Sequence, residues 1–425
     1  SRYEEKSGLS GEGPTQAAIF CGGRGTRLRP LTDSIPKPMV EVNGLPFLAH
    51  LLRQLVDGGI TRVVLMTGYR GEQIFDFFGP GDDWGCEITY SPGPAEWLTG
   101  RRLIEAQTVL DSTFLLLYAD NFALVDVEAL YSCHSRSGRS VTLTLAQKIP
   151  GNVTLGGHEV RDYDPLRSSP DLDHVEIGYM VVERDRVMKV LGKTGSAPDV
   201  EFSAALESLV RQNEVGGVPV DGYHSISDPG RLELAREYLS PKKLLLVDRD
   251  GVINQRARPG EYISNWDGFH FIDDAITALK LLAQRGFRFI VISNQAGISR
   301  GMVDPEDLKD MHDQMVSTMA RRGIDVDGVY VSPHHWDEAS PMRKPEPGMF
   351  LQASREHLFR LDRVLYVGDD LRDCQATANA GCGVVFLGEL EPGEVMPSTR
   401  FTQQSFTTFT EAVPFIIDHY ARDLP

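Results

Sequence analysis

Short apolar strands alternate with amphipathic helices along the 425-residue chain, and the alternation occurs twice. In the first half, buried-strand candidates lie at Ala17–Cys21, Arg62–Met66 and Phe114–Tyr118, and apolar residues recur at helical spacing over Pro46–Gly58. This pattern fades after a helical segment at Pro229–Leu239. Strands that alternate with helices favour a mostly parallel sheet covered on both faces, so the first half is predicted to be an α/β domain.

The alternation restarts after the polar segment Ser240–Lys243, at the apolar strand Leu244–Val247. Helices are predicted at Ile272–Arg285 and Pro305–Arg321. Strands are predicted at Phe287–Ile292, Gly328–Val331 and Val364–Val367. The sequence therefore predicts two tandem α/β domains, at 16–240 and 243–390. A flexible tail is predicted at 1–15, and a C-terminal extension at 391–425 is predicted to pack on the second domain.

Composition narrows the class of protein and its partners. The formal charge of −17 repels polyanions, so no nucleic-acid partner is expected. No apolar run reaches the ~18 residues that cross a bilayer, so no membrane partner is expected, and with no apolar signal segment the expected location is cytoplasmic. Five cysteines without a C-x-x-C pair favour buried thiols over a disulfide framework. The oligomeric state is left open.

A glycine-rich turn follows the first strand, in the segment Gly22-Gly-Arg-Gly-Thr-Arg-Leu-Arg-Pro-Leu-Thr-Asp-Ser-Ile-Pro-Lys-Pro-Met39. Glycines there let backbone N–H groups turn toward an anion, and the segment supplies cations for a triphosphate. The nucleotide-binding candidates share this segment: Gly22, Gly23, Gly25, Thr26, Arg27 and Lys37. The spacing differs from a Walker A loop, so another kind of phosphate loop is predicted.

This segment resembles the signature of sugar-phosphate nucleotidyltransferases, also called NDP-sugar pyrophosphorylases. The resemblance covers roughly residues 16–235 and implies a Rossmann-like domain that joins a nucleoside triphosphate to a sugar 1-phosphate. It also implies that Asp120 is a Mg²⁺ ligand, a role that suits a carboxylate. The chain departs from the family at two places: Ser225 stands where a second metal aspartate is usual, with Asp228 three residues on, and Asp164-Pro165-Leu166 lacks the family's phosphate-binding lysine.

Four short motifs in the second domain carry phosphate chemistry. Asp248-x-Asp250 follows a strand, so one carboxylate can attack phosphorus while the other protonates the leaving oxygen. The other three motifs are Ser293-Asn294, Arg343-Lys344-Pro345 and Gly368-Asp369-Asp370-Leu-Arg-Asp373. Their hydroxyl, amide and ammonium groups can hold the phosphoryl oxygens, and Mg²⁺ bound by the acids can lie between nucleophile and substrate. Any single aspartate here could be only a helix cap, as Asp370 or Asp373 illustrates.

These four motifs in this order resemble the haloacid dehalogenase (HAD) superfamily of phosphatases. Over about residues 243–388 they are similar to the heptose 1,7-bisphosphate 7-phosphatases, with histidinol phosphatases as nearby relatives. The resemblance implies a nucleophile, Asp248, an acid and base, Asp250, and catalytic Ser293 and Lys344. It implies a Mg²⁺ site of Asp248, Asp369 and the Asp250 carbonyl, and substrate contacts at Asn254, Asn294, Arg300, Arg343 and His334. No segment between the motifs is long enough for a large cap domain.

That family commonly folds a loop around Zn²⁺ with C-x-H and C-x-C ligands. Here the positions are Ser332-Pro-His334 and Ser340-Pro-Met342, and serine and methionine are poor Zn²⁺ ligands beside thiolate. No structural zinc is therefore expected, and Mg²⁺ is the expected cofactor. His334 is then predicted to contact the loop or the substrate.

The fold class is thus predicted as α/β, with two tandem Rossmann-like domains, nucleotidyltransferase-like and then HAD-like. The favoured function is removal of the 7-phosphate of a heptose 1,7-bisphosphate through an aspartyl-phosphate, with nucleotidyl transfer to heptose 1-phosphate as a second step. Two alternatives stay open: a sugar or histidinol phosphatase whose first domain is a non-catalytic scaffold, and, less favoured by charge, a polynucleotide 3′-phosphatase. Neither the nucleotide nor the heptose anomer follows from the sequence.

Overall fold

A computed structural model describes residues 13–193, 199–334 and 337–422. It divides into two compact units, 1–236 and 237–425, and each is described by itself. The segment 1–12, most of the predicted tail, lies outside the described residues. Within those described ranges, no helix is both long enough and apolar enough to cross a membrane. All five cysteines are free, four of them buried and Cys133 partly exposed.

The first unit is built on a nine-stranded sheet. Its strands, with two short two-stranded ladders, are β1 Gln16–Cys21, β2 Glu41–Val42, β3 Leu45–Pro46, β4 Arg62–Thr67, β5 Glu87–Pro92, β6 Thr113–Tyr118, β7 Asn121–Phe122, β8 Val141–Gln147, β9 Val153–Gly156, β10 Glu159–Tyr163, β11 His174–Glu183, β12 Val215–Pro219 and β13 His224–Ser225. Its helices are α1 Phe47–Asp57, α2 Gly71–Phe78, α3 Thr99–Ala106, α4 Val127–Ser137, α5 Arg184–Lys193, α6 Phe202–Arg211 and α7 Pro229–Leu239, within which the division falls.

Strand order in this sheet is β5-β4-β1-β6-β11-β8-β12-β10-β9. The first four strands are parallel, and β11 joins β6 in the antiparallel direction. Every residue of β1 is buried, and Ala17, Ala18 and Ile19 are wholly enclosed. This burial fits a strand in the interior of the sheet, between β4 and β6. This mixed sheet brings the turns after β1 and β6 to one edge, where parallel strands present their carboxyl ends.

The second unit has a six-stranded sheet in the order β16-β15-β14-β17-β18-β19, all parallel. The strands are β14 Leu244–Val247, β15 Arg288–Asn294, β16 Val326–Ser332, β17 Leu365–Gly368, β18 Gly383–Leu387 and β19 Gln403–Phe406. The helices are α8 Asp273–Ala283, α9 Pro305–Arg321, α10 Gly348–His357, α11 Leu371–Ala380 and α12 Phe409–Ala421. The predicted C-terminal extension thus contributes an edge strand and a helix to this unit. Both units are α/β with parallel-rich sheets, as predicted.

Candidate active sites

The motif residues of the second unit lie together at the carboxyl ends of three adjacent strands. Asp248 follows β14, Ser293 and Asn294 end β15, and Asp369 follows β17, and β14 lies between the other two strands. A cavity of about 430 Å³ opens there. Seven of the candidates line it: Asp248, Asp250, Ser293, Asn294, Arg300, Arg343 and Lys344. Sequence positions almost 100 residues apart therefore share one cavity because the sheet is parallel.

Lys344 and Asp248 form a buried ion pair at the floor of this cavity. The ammonium Nζ lies 3.0 Å from Asp248 Oδ2 and 2.7 Å from Asp373 Oδ1, and it donates to the Tyr366 hydroxyl at 2.7 Å. Asp248 is 7% exposed and Lys344 3% exposed. One lysine thus holds two carboxylates, a pairing that lowers the cost of burying these charges.

Burial and neighbouring charge set the protonation of this pair. Burial raises the pKa of Asp248, Lys344 lowers it, and the carboxylates of Asp373 and Asp250 raise it again, so that the net shift is upward. For Lys344 burial lowers the pKa, but Asp248 and Asp373 outweigh that effect and raise it. The site therefore carries more negative than positive charge around Asp248, which favours a further cation there.

The donor set around Asp248 fits a divalent metal ion. Carboxylate oxygens of Asp248, Asp369 and Asp373 lie within 4.8 Å of one another, the one such group of three found among the described residues. Both oxygens of Asp373 are engaged, since Oδ1 pairs with Lys344 and Oδ2 accepts the N–H groups of residues 369 and 370. Asp248 and Asp369 each pair with one cation, Lys344 and Arg256, and their carboxylates could supply oxygen ligands to Mg²⁺, which commonly takes one or two carboxylates.

Gly251 permits Asp369 to come this close to the aspartate turn. Its φ is +84°, and a Cβ there would lie 1.9 Å from Asp369 Oδ2. Any other residue would therefore displace the carboxylate. Asp370 serves differently: it caps α11 and forms a capping box with Asp373, the helix-cap role that the sequence left open for both residues.

Asp250 is held by four hydrogen bonds to its carboxylate. Arg249 donates from Nε to Oδ1 at 2.9 Å and from Nη2 to Oδ2 at 3.0 Å, Asn254 donates to Oδ1, and Gln295 donates to Oδ2, both at 2.9 Å. Burial raises the pKa of Asp250, but Arg249 and the two amides outweigh it and lower the pKa. The carboxylate is thus firmly oriented beside the nucleophile candidate.

Four arginines, which together form the arginine wall, line the same cavity: Arg256, Arg300, Arg343 and Arg372. Burial lowers the pKa of Arg343, and the nearby charges of Arg372 and Arg300 lower it further. Arg372 is paired with Asp370 at 2.8 Å and Arg256 with Asp369 at 2.6 Å. The positive charges of these arginines lie close together at the cavity, so they can bind an anion there. Arg256 and Arg372 did not stand out in the sequence, where an arginine beside acids is typical of a surface turn.

Two predicted substrate contacts lie elsewhere. Asn254 is wholly buried and does not line the cavity, since its side chain bonds Asp250 and the Gln255 carbonyl. His334 also lies outside the lining; it pairs with Glu338 at 2.9 Å, and its carbonyl accepts from Arg343. His334 is therefore a loop residue, one of the two roles predicted. Asn294 bonds the backbone of Lys344 in both directions as well as lining the cavity.

In the first unit the glycine-rich turn follows β1 and rests on a buried arginine. Arg102 donates to the carbonyls of Thr67 and Pro94 at 2.8 Å and lies 3.4 Å from that of Gly22. A Cβ at Gly22 would lie 2.1 Å from Arg102 Cζ, so only glycine fits. Gly23, Thr26 and Arg27 are exposed, and Gly25 is partly exposed. The turn thus presents its outer face to solvent while the arginine supports it from within.

Lys37 and Asp120 meet at the edge of this sheet. Lys37 Nζ lies 3.0 Å from Asp120 Oδ2, although 83 residues separate them. Ser225 of β13 is paired with Asn121 of β7, so the serine lies next to Asp120. Ser225 is the position at which the nucleotidyltransferases that the first unit resembles have a second metal aspartate. Asp228 instead caps α7 through the Arg231 N–H and pairs with Arg231. Asp228 is therefore occupied as a helix cap.

Glu176 is a carboxylate in this region that the motifs did not indicate. Burial, helped by the charge of Asp120, raises its pKa to about 7 against the opposing effects of the Gly178 N–H bond and of Arg167. It lies at the start of a register shift, between Glu176 and Met180, in the pairing of β11 with β8. A glutamate in a strand has no distinctive spacing, so only the fold brings it toward Asp120.

Fold and site together define the second unit as an HAD-type phosphatase and the first as a nucleotidyltransferase-like domain. A family model for nucleotidyl transferases matches residues 16–154, and one for polynucleotide kinase 3 phosphatases matches residues 243–380. D-glycero-beta-D-manno-heptose-1,7-bisphosphate 7-phosphatase from Yersinia pestis is 37% identical over 150 residues, 34% of this chain and 78% of the relative. The chain belongs to this heptose-bisphosphate phosphatase family.

Two further similarities were found. A probable glucose-1-phosphate cytidylyltransferase from Bacillus subtilis is 29% identical over 206 residues, 43% of this chain and 79% of the relative. A crystal structure of D,D-heptose 1,7-bisphosphate phosphatase from B. bronchiseptica, complexed with magnesium and phosphate, is 28% identical, with a TM-score of 0.36. That match covers 41% of this chain and 98% of the other.

Proposed function

We propose that the second unit, with its domain limits at 243–390, removes the 7-phosphate of a heptose 1,7-bisphosphate through an aspartyl-phosphate. The observation that carries the proposal is Asp248 at the end of the central strand, paired with Lys344 and facing a cavity walled by arginines. The family relationship supports the heptose bisphosphate over histidinol phosphate, because the named relatives act on it. The acidic charge of the chain disfavours a polynucleotide substrate.

In this mechanism Asp248 Oδ attacks the phosphorus while Lys344 neutralises charge on the nucleophile and on the transferred group. The pKa of Asp250 is lowered in the free site, and the negative charge of an arriving phosphate opposes that shift and favours the protonated carboxyl group. Asp250 then gives this proton to the leaving sugar oxygen and later accepts one from the water that attacks the aspartyl-phosphate. Ser293 and Asn294, which line the cavity, would donate to the phosphoryl oxygens. Mg²⁺, held by Asp248, Asp369 and the Asp250 carbonyl, would supply the positive charge that lets two anions approach.

The arginine wall is the proposed site of the second phosphate. Arg343→Gln is expected to raise the KM for the bisphosphate roughly 10- to 100-fold, the worth of one or two hydrogen bonds to a charged group, and to change hydrolysis of a monophosphate ester far less. Steady-state phosphate release from both substrates measures this. Arg321→Gln, at an exposed arginine on α9, is the matched control. An equal effect on both substrates would contradict a subsite for the second phosphate.

We further propose that the first unit, with limits at 16–240, transfers a nucleotidyl group to heptose 1-phosphate, using Gly22, Gly23, Gly25, Thr26, Arg27 and Lys37 for the nucleotide and Asp120 for Mg²⁺. The Lys37–Asp120 pair at the edge of the sheet supports this, since it joins the phosphate loop to the metal carboxylate. Because the relative from Bacillus subtilis is named for cytidylyl transfer, CTP is the first nucleotide to test.

Asp120→Asn is expected to lower the rate of NDP-heptose formation at least ~100-fold, because a carboxylate that holds the cation is lost. Mass spectrometry of the product, with Mg²⁺, heptose 1-phosphate and each nucleoside triphosphate in turn, measures the rate. Asp83→Asn, at an exposed acid of the same unit, is the control. Full activity in the Asp120 variant would contradict the metal assignment. A wild-type protein that binds the nucleotides without turnover would favour the scaffold alternative.

A further inference from the structure

Arg249, which stands between the two aspartates of the motif, is a charged residue enclosed on every side. It is 0% exposed, the largest side chain to be so completely buried among the described residues. Its Nε and Nη2 atoms donate to the two carboxylate oxygens of Asp250, at 2.9 and 3.0 Å. Two parallel bonds of this kind fix both distance and direction.

The third nitrogen of this guanidinium is held by α9. Nη1 donates to Nε2 of His312 at 3.0 Å and lies 3.6 Å from Sδ of Met311. Burial and the charge of Arg249 lower the pKa of His312 to about 4, so the ring is neutral near pH 7 and Nε2 carries the accepting lone pair. His312 is itself 8% exposed. The imidazole therefore fixes the rotation of the guanidinium, and the guanidinium fixes that of the carboxylate.

Each oxygen of Asp250 receives two hydrogen bonds, one from Arg249 and one from a neutral amide, Asn254 or Gln295. A carboxylate oxygen accepts about two such bonds, so an incoming leaving oxygen has to take the place of one donor. Bonds to a neutral amide are weaker than the charge-assisted pair to Arg249. Gln295 lines the cavity and also donates to Ser293, so it keeps one hydrogen bond when its bond to Asp250 is lost. Arg249 is then the donor that remains bonded to Asp250 when the leaving oxygen binds.

We propose that Arg249, held by His312, is a positioning residue that aims the carboxyl group of Asp250 at the leaving oxygen of the phosphate ester. The inference rests on the proposed phosphatase function. In the first step the Asp248 oxygen bonds to phosphorus, the bond from phosphorus to the sugar oxygen breaks, and that oxygen takes the proton of the Asp250 carboxyl group. In the second step water bonds to phosphorus, gives its proton to the Asp250 carboxylate, and releases phosphate from Asp248.

A misdirected acid affects substrates according to their leaving groups. A sugar hydroxyl is a poor leaving group without a proton, whereas p-nitrophenolate departs without one. A defect in aiming Asp250 should therefore slow sugar phosphate hydrolysis and leave p-nitrophenyl phosphate hydrolysis nearly unchanged. A general loss of folding or of metal would slow both.

The experiment compares Arg249→Lys, His312→Leu and His312→Gln with the wild-type full chain on heptose 1,7-bisphosphate and on p-nitrophenyl phosphate. We expect kcat for the bisphosphate to fall about 100-fold in Arg249→Lys and about 10-fold in His312→Leu, within the range of general acid catalysis, at unchanged KM. His312→Gln offers an accepting amide oxygen and should recover most of the rate. With p-nitrophenyl phosphate every variant should stay within about 3-fold of wild type.

Equal losses on the two substrates, or a His312→Gln variant as slow as His312→Leu, would overturn the inference. If the wild type does not turn over p-nitrophenyl phosphate, variants that raise KM for the bisphosphate and leave its kcat unchanged would overturn the inference. A wild-type chain that releases no phosphate from the bisphosphate refutes the proposed function itself, which keeps the two failures distinct.

Discussion

Asp248→Asn is expected to abolish phosphate release, by at least ~10⁴-fold in kcat, because an amide cannot form the aspartyl-phosphate. The substitution keeps the size of the side chain and the N–H bond from Arg249 to this residue can find the amide oxygen, so the fold should persist. Phosphate release with heptose 1,7-bisphosphate and Mg²⁺, followed over hours to detect slow turnover, measures the loss.

Asp313→Asn is the matched control for this change, since Asp313 is an exposed acid on α9 that pairs only with Lys309 in the contacts described. It should retain wild-type activity. Substantial phosphate release by Asp248→Asn, with the control unaffected, would contradict an aspartyl-phosphate mechanism at this position. Rapid-quench trapping of phosphorylated wild-type protein, absent from the variant, would add direct evidence for the intermediate.

Lys344→Met is expected to destabilise the folded second unit by about 3–5 kcal/mol, because it leaves Asp248 and Asp373 buried without their shared cation. For a unit of this size that corresponds to a fall in melting temperature of about 10 °C. Calorimetry measures it, and Lys309→Met, at a lysine 77% exposed in its side chain, should change the melting temperature little.

The effect of Lys344→Met should depend on pH in a definite direction. Burial already raises the pKa of Asp248 above its ordinary value, and the loss of Lys344 removes a group that lowers it. A carboxyl group with a higher pKa in the folded state favours folding when it is protonated, so the loss of stability should be largest at pH 8 and smaller at pH 5. A loss that grows as the pH falls would contradict this description of the site.

Much of the fold followed from the order of strands and helices. Asp248, Ser293 and Asp369 each come at or directly after the end of a strand. Each therefore lies at the carboxyl end of its strand. Parallel pairing then brings them together, which is why the phosphatase cavity could be predicted from spacing. The helix at Pro305–Arg321 was predicted at its observed bounds, and in the structure Asp304 caps it by accepting the Glu306 N–H.

The supporting residues could not be predicted in the same way. Arg249 is buried because α9, more than 60 positions away, brings His312 to it, and no local pattern shows that contact. Asn254 belonged to the motif, but its side chain supports Asp250 where a substrate contact was predicted. Arg102 and Glu176 gain their places only when the strands of the first unit assemble. The motifs thus predict which groups face the substrate, and long-range packing decides what orients them.

This chain is expected to hydrolyse one phosphate of a heptose 1,7-bisphosphate. The most direct test is ³¹P NMR of the full chain with D-glycero-D-manno-heptose 1,7-bisphosphate and Mg²⁺, with Asp248→Asn alongside. We predict that the 7-phosphate resonance disappears as inorganic phosphate grows, while the 1-phosphate resonance persists and the variant shows no change. Loss of the 1-phosphate, or no phosphate release by the wild type, would contradict the account.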